Sequence, residues 1–126
     1  MKILSVVDTA YRATLEEQDD TSIWFNHACK NNGAPIDILL TGNAVNYGIK
    51  DQDPKPLLFG GAGVHYPNKF HEDLENFAAT GARVFYIGED ADQRGIDGDN
   101  LTGCLEKISR SDLADLVDTY DQIWHW

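Results

Sequence analysis

The sequence feature that most constrains this chain is the apolar run VFYI at residues 84–87. An uninterrupted apolar run of this length is typical of a parallel strand that is buried on both faces of a sheet. Directly after the run the chain becomes polar, with Glu89, Asp90 and Arg94 in a segment expected to be a loop. Ligands of open α/β sheets bind beyond the carboxyl ends of the strands. The loop is therefore the first candidate for a site, and a solvated connection is the alternative.

Strand-like and helix-like segments alternate along the chain. Short apolar runs predict the strands, at residues 2–7, 35–40, 84–87 and 122–126. Helical spacing and end signals predict the helices, at residues 20–33, 67–81 and 109–120. This alternation predicts a three-layer α/β/α sandwich around a mostly parallel sheet of about five strands, with a flavodoxin-like appearance. The length of 126 residues predicts one domain, residues 1–126.

Two details of the helices and one long connection are also predicted. The first helix is expected to bury a stripe that begins with Trp24 and Phe25 and includes Cys29, because these residues recur at helical spacing. His71 lies off the apolar stripe of the second helix and is expected to be exposed. Residues 51–66 contain prolines and glycines and show no period, so a loop is expected there, with a short extended piece at residues 57–59.

The acidic composition limits the partners of the chain. Twenty-one Asp and Glu residues against ten Lys and Arg residues give a formal charge of −11. Neither nucleic acid nor an anionic membrane surface is expected as a partner, since both are bound through Lys and Arg. The first apolar run meets Asp8 too early for a signal peptide, and no run approaches the roughly 20 residues that span a bilayer. A cytoplasmic location is expected, with Cys29 and Cys104 as free thiols.

Polar residues at the ends of the predicted strands form the candidate ligand site: Asp8, Thr41, Asn43, Glu89, Asp90 and Arg94. The planar guanidinium of Arg94 could bind an anionic ligand, or it could pair with Glu89 or Asp90 and pin the loop. The glycine run at residues 60–63 lacks the phosphate-loop pattern, and the four histidines are not at metal-ligand spacing. No metal and no cofactor are therefore expected.

Two segments resemble the DsrE/DsrF-like family of small sulfur-metabolism proteins, namely DILLTGNAV at residues 37–45 and VFYIGEDADQRGI at residues 84–96. The resemblance extends loosely over most of the chain. It implies a homo-oligomer, trimeric or hexameric, or assembly with related DsrE-like subunits. Sulfur-carrying members have a reactive cysteine at the end of the strand that precedes the arginine–glycine pair, but residues 86–89 here read YIGE and contain no cysteine.

Three functions follow from these observations. The first is a DsrE-like protein linked to sulfur metabolism, acting as a non-catalytic binding or scaffold subunit. The second is a small-molecule-binding module with its pocket at the carboxyl ends of the strands, for a small or sulfur-bearing ligand. The third is a sulfurtransferase that uses Cys104, whose thiolate the nearby Lys107 would favour, although Cys104 also fits a buried structural position. Trp124 and Trp126 are expected at a subunit interface or, alternatively, against a ligand.

Overall fold

The computed structural model describes residues 1–10, 20–53, 58–63 and 69–126. The predicted start of the second helix at residues 67–68 and parts of the predicted 51–66 loop lie outside these ranges. The described elements follow one another along the chain as β1 (Ile3–Val7), α1 (Thr21–Asn31), β2 (Ile36–Leu40), a 3₁₀ helix (Gly42–Gly48), β3 (Leu58–Phe59), β4 (Ala62–Gly63), α2 (Phe70–Ala78), β5 (Val84–Ile87), α3 (Gly88–Gln93), a 3₁₀ helix (Gly98–Asn100), β6 (Leu105–Ile108), a 3₁₀ helix (Arg110–Asp112), α4 (Leu113–Asp118) and β7 (Gln122–His125).

Five of the strands form the central sheet, in the order β6-β5-β2-β1-β7. Every neighbouring pair is parallel. Ile3 lies opposite both Ile36 and Gln122, and Val84 lies opposite both Ile38 and Leu105. The predicted α/β fold with a mostly parallel sheet of about five strands is confirmed. One of the five strands, β6, is not among the predicted elements. Of the extended piece expected at residues 57–59, Leu58 and Phe59 form β3, which pairs with β4 apart from the central sheet, and residue 57 lies outside the described ranges.

The order of the strands explains how the helices are distributed. From β1 to β2, β5 and β6 the chain moves across the sheet in one direction, and right-handed crossovers place the connecting helices on one face. The return from β6 to β7 runs in the other direction and places α4 on the opposite face. The buried residues accordingly divide into a larger core that contains Ile23, Leu74 and Phe77, and a smaller one beneath α4.

The buried face of α1 differs from the predicted one. Trp24 and Phe25 of the predicted stripe are 60% and 38% exposed, whereas Ile23 and Asn26 are buried. The ring of Phe25 instead contacts the tryptophan rings at the end of β7, with centroid distances of 6.1 and 5.7 Å. These aromatic side chains therefore cover the β7 edge of the sheet, a contact over about 100 residues of sequence that helical spacing alone cannot indicate.

The burial of His71 in helix α2 also differs from the prediction. His71, expected to be exposed, is only 8% exposed. It precedes the core residues Leu74 and Phe77 by three and six positions, so it shares their face of the helix. The acidic first turn of the same helix matches the sequence prediction. Among the described residues, none of the helices has both the length and the apolarity that crossing a bilayer requires.

Candidate functional site

The carboxyl ends of the parallel strands bring the predicted polar residues to one edge of the sheet. Asp8 directly follows β1, Thr41 directly follows β2, and Glu89 and Asp90 form the first turn of α3 directly after β5. The segment from Glu89 to Gln93 is thus helical, and the prediction of a loop there is wrong. Its helical geometry is what turns Asp90 inward, where only 4% of the residue is exposed.

Asp8 and Thr41 join the ends of β1 and β2. The Thr41 hydroxyl donates a hydrogen bond to Asp8 Oδ1 over 2.9 Å. The next residue, Gly42, has a φ of +53°, and a Cβ at this position would lie only 2.7 Å from the same carboxylate oxygen. Both the left-handed backbone and the close approach require glycine here. The junction between the strand and its following 3₁₀ helix is therefore built around the Asp8 carboxylate.

Asp90 connects β2, β5 and β6. Its carboxylate accepts a hydrogen bond from the Gly42 N–H over 2.8 Å and forms an ion pair with the Arg110 guanidinium. The neighbouring Glu89 carboxylate accepts from the Arg110 N–H. Arg110 lies two residues after the end of β6 and was not predicted from the sequence, because β6 itself was not predicted. If LEKI at residues 105–108 had been assigned as a strand, Arg110 would have been placed at the same edge as Asp90.

Arg94 lies at the end of α3 and contacts neutral oxygen atoms. Its Nε donates to Asn43 Oδ1 over 2.9 Å, and its Nη1 donates to the Asp90 main-chain oxygen over 3.1 Å. The expected alternative was an ion pair with the carboxylate of Glu89 or Asp90. Both of those carboxylates are engaged by Arg110, and within the described ranges no carboxylate forms an ion pair with Arg94.

The two cysteines lie away from this edge. Cys104 immediately precedes β6, so it lies at the amino edge of the sheet, and Cys29 lies near the end of α1, which leads into the amino end of β2. Both are free and partly buried. Burial raises the pKa of the Cys104 thiol, and the charge of Glu75 raises it further. Cys104 therefore has less thiolate at neutral pH than an exposed cysteine has.

Two basic side chains near β5 and β6 have structural partners. Arg83 makes two hydrogen bonds to Glu106, at 2.9 and 2.8 Å, and this pairing raises the pKa of Arg83 and lowers that of Glu106. Lys107 extends along Gly88, so a side chain at position 88 would collide with it. The described residues contain no cluster of three or more His, Cys, Asp or Glu side chains that could hold a metal ion.

Comparison with known proteins finds structural similarity alone. No family model matches the sequence, and no curated protein matches it. The crystal structure of the ychN protein from E. coli aligns with a TM-score of 0.77 at 20% identity, covering 99% of this chain and 98% of that one. A protein of unknown function, MTH1491 from Methanobacterium thermoautotrophicum, aligns with a TM-score of 0.62 at 14% identity, covering 98% and 97%. This chain shares their fold. At these identities the likeness extends to the architecture and not to an activity.

Proposed function

We propose that this chain is a single-domain, DsrE-like protein linked to sulfur metabolism that acts as a non-catalytic binding or scaffold subunit. The observation that carries the proposal is the first turn of α3, directly after β5. Sulfur-carrying members of the family that the sequence resembles have their reactive cysteine in this neighbourhood. Here the turn consists of Gly88, Glu89 and Asp90, and the two carboxylates are held by Arg110.

Several features of the two cysteines weigh against a catalytic role. The first turn of α3 lies at the carboxyl edge of the sheet, whereas Cys104 lies at the amino edge. A raised thiol pKa lowers the fraction of the nucleophilic thiolate, which disfavours Cys104 as a sulfurtransferase nucleophile. The proposed location is the cytoplasm, where a reducing environment keeps thiols such as these two free.

The experiment that tests this role is intact-protein mass spectrometry after incubation with a persulfide donor. Wild type, Cys29→Ser and Cys104→Ser are compared under conditions that load a known sulfur carrier. We expect no variant to gain a sulfur atom. A gain in the wild type that disappears only in Cys104→Ser would overturn the proposal and identify a sulfurtransferase with a relocated nucleophile.

A second candidate function, a small-molecule-binding module, is favoured by the surroundings of Arg94. Its guanidinium is fixed by two hydrogen bonds to neutral acceptors, so its charge stays available to a ligand. The sequence-predicted residues around it are joined into one network at the carboxyl edge, from Asp8 and Thr41 through Gly42 to Asp90. Replacing Arg94 by Ala should lower the affinity for a ligand if this function holds.

The exposed aromatic surface supports the expected assembly into a homo-oligomer, trimeric or hexameric, or with related subunits. Trp24 is exposed beside Phe25, whose ring contacts those of Trp124 and Trp126. Aromatic residues are enriched in protein interfaces. We expect sedimentation velocity to show an oligomer for the wild type and its weakening in Trp24→Glu. A wild type that stays monomeric at high concentration would contradict this.

A further inference from the structure

We propose that the groove lined by Lys50 and Arg94 binds a small organic molecule with an oxyanionic head group. The groove lies between the segment that follows the 3₁₀ helix Gly42–Gly48 and the end of α3, and its volume is about 500 Å³. This inference names a ligand class for the binding role proposed above and rests on that role. Arg94 was among the ligand-binding residues predicted from the sequence, whereas Lys50 was not.

Arg94 differs from the other described arginines in the groups that its guanidinium contacts. The two other arginines of the described ranges are neutralised by carboxylates, Arg83 by Glu106 and Arg110 by Asp90. Arg94 instead donates to a side-chain amide and a main-chain carbonyl. In a chain of charge −11, an arginine held by neutral acceptors keeps its charge for a negatively charged group from solution.

Hydrogen bonds fix the guanidinium of Arg94 and the backbone of Lys50. Nε and Nη1 of Arg94 are both engaged, which fixes the plane of the guanidinium, and a guanidinium has five N–H donors in all. The backbone of Lys50 is fixed as well, because its N–H donates to the Asn100 carbonyl over 2.9 Å. A bridge between Ile49 and Leu101 holds the same two segments together. A preorganised guanidinium loses little conformational entropy when it binds an anion.

The charge and the volume of the groove both suit a small organic anion. Among the described residues that line the groove, Lys50 and Arg94 are opposed by one carboxylate, that of Asp51, so this part of the lining carries a net positive charge in an acidic chain. The volume falls in the range of small-molecule sites, roughly 300–1,000 Å³, and exceeds what a bare inorganic anion fills. The amides of Asn46 and Asn100 add groups that match a hydroxyl-bearing body.

Asp51 provides a variant that should strengthen binding. Its φ of +59° is a left-handed conformation, and Asn is one of the few residues that tolerate it. Asp51→Asn therefore keeps the backbone and the shape while it removes the opposing charge. If the ligand is an anion, affinity should rise about threefold; a cationic ligand would show the reverse.

The test uses isethionate, a hydroxyl-bearing sulfonate, as the probe, and ethylene glycol as its uncharged counterpart, at constant ionic strength. Amide resonances of the ¹⁵N-labelled full chain are followed during the titration. We expect saturable shifts at residues 49–51 and 94–96 with isethionate alone. Arg94→Gln should weaken binding about tenfold or more. Arg83→Gln removes the same charge from an ion pair elsewhere and should leave the affinity unchanged.

Any one of three results would overturn the inference. The amide resonances of the groove residues could show no saturable shift with isethionate, Arg94→Gln and Arg83→Gln could weaken isethionate binding equally, or the Asp51→Asn variant could bind isethionate more weakly than the wild type does. The outcome is separable from that of the proposed function. If isethionate fails to bind while neither thiol takes up sulfur, the ligand class is wrong and the non-catalytic role stands. If isethionate binds while a thiol takes up sulfur, the groove stands and the non-catalytic role falls.

Discussion

Replacement of Asp90 by Asn should destabilise the chain although it changes a single atom type. The carboxylate is nearly fully buried, accepts from the Gly42 N–H over 2.8 Å and pairs with Arg110. An asparagine side chain has one oxygen, which can serve one of these two donors. Its NH₂ group would face the other donor, so one charged interaction is lost and two donors are opposed.

The size of the effect follows from the exposure of the two partners. Breaking a fully buried ion pair costs about 3–5 kcal/mol, and losing a hydrogen bond to a charged group costs about 1.5–3 kcal/mol. The Arg110 side chain is 53% exposed, so water stabilises it when its partner is lost and the lower range applies. We expect the free energy of unfolding to fall by about 2 kcal/mol, which corresponds to a loss of roughly 8 °C in Tm for a chain of this size.

Urea unfolding at neutral pH, followed by tryptophan fluorescence, measures this difference. Asp92→Asn is the matched control, because it makes the same change in charge at an exposed position of the same helix. Its effect should stay below about 0.5 kcal/mol. Equal losses in the two variants would refute the reasoning, since they would reflect net charge and not the Asp90 contacts. A double-mutant cycle with Arg110→Gln should give a coupling energy of about 1 kcal/mol.

Three further predictions concern Cys104, Glu106 and Tyr120, whose pKa values are shifted by their surroundings. Because burial raises the pKa of Cys104, its alkylation by iodoacetamide should accelerate only above the pH range in which an exposed thiol reacts; an ordinary pH profile in the Cys29→Ser variant would contradict this. Glu106 has a lowered pKa because Arg83 donates to it, so the pair stabilises the fold above the ordinary Glu pKa of 4.5 and loses that effect as the pH falls through the lowered value. Since both side chains are about half exposed, Glu106→Gln should cost at most about 1 kcal/mol at pH 7, and this difference in urea unfolding should shrink in acid. Tyr120 donates to Asp37 over 2.7 Å, so Tyr120→Phe should lower the free energy of unfolding by about 1 kcal/mol, and an unchanged urea midpoint would exclude a stabilising role for this bond.

Strands β1, β2 and β5 could be predicted from the sequence because burial makes them apolar, whereas the edge strand β7 was predicted although most of its residues are exposed. Strand β5 consists of four buried residues, and β1 and β2 are nearly as apolar, so a local signal was sufficient. Strand β6 lies at the edge of the sheet, and its two central residues, Glu106 and Lys107, are exposed. Its sequence LEKI therefore contains no apolar run, and periodicity over four residues cannot distinguish it from a turn.

The candidate site could be predicted only in part, because the sequence placed several of its residues at strand ends but indicated neither Arg110 nor how the residues pair. Strand ends identify Asp8, Thr41 and Asp90 as neighbours, because parallel strands end at the same edge. Which cation Asp90 binds depends on where β6 places Arg110, and Arg110 is twenty residues further along the chain than Asp90. Because Arg110 engages both carboxylates, the ion pair considered for Arg94 does not form among the described residues, and anion binding by Arg94 stays a prediction.

Arg94 and Arg110 are alternative partners for the carboxylates of Glu89 and Asp90, in a chain whose composition is acidic. With twenty-one carboxylates and ten Lys and Arg residues, an arginine near any strand end is expected to find a carboxylate partner. Arg110 reaches both carboxylates in the first turn of α3, one through its backbone N–H and one through its guanidinium. Arg94 then receives the acceptors that remain, the Asn43 amide and a main-chain carbonyl. The guanidinium of Arg94 is therefore positioned by two hydrogen bonds, while no carboxylate of the described ranges forms an ion pair with it. Such an arginine contributes less to stability than a paired one, and the use that we propose for its charge is the binding of an anion.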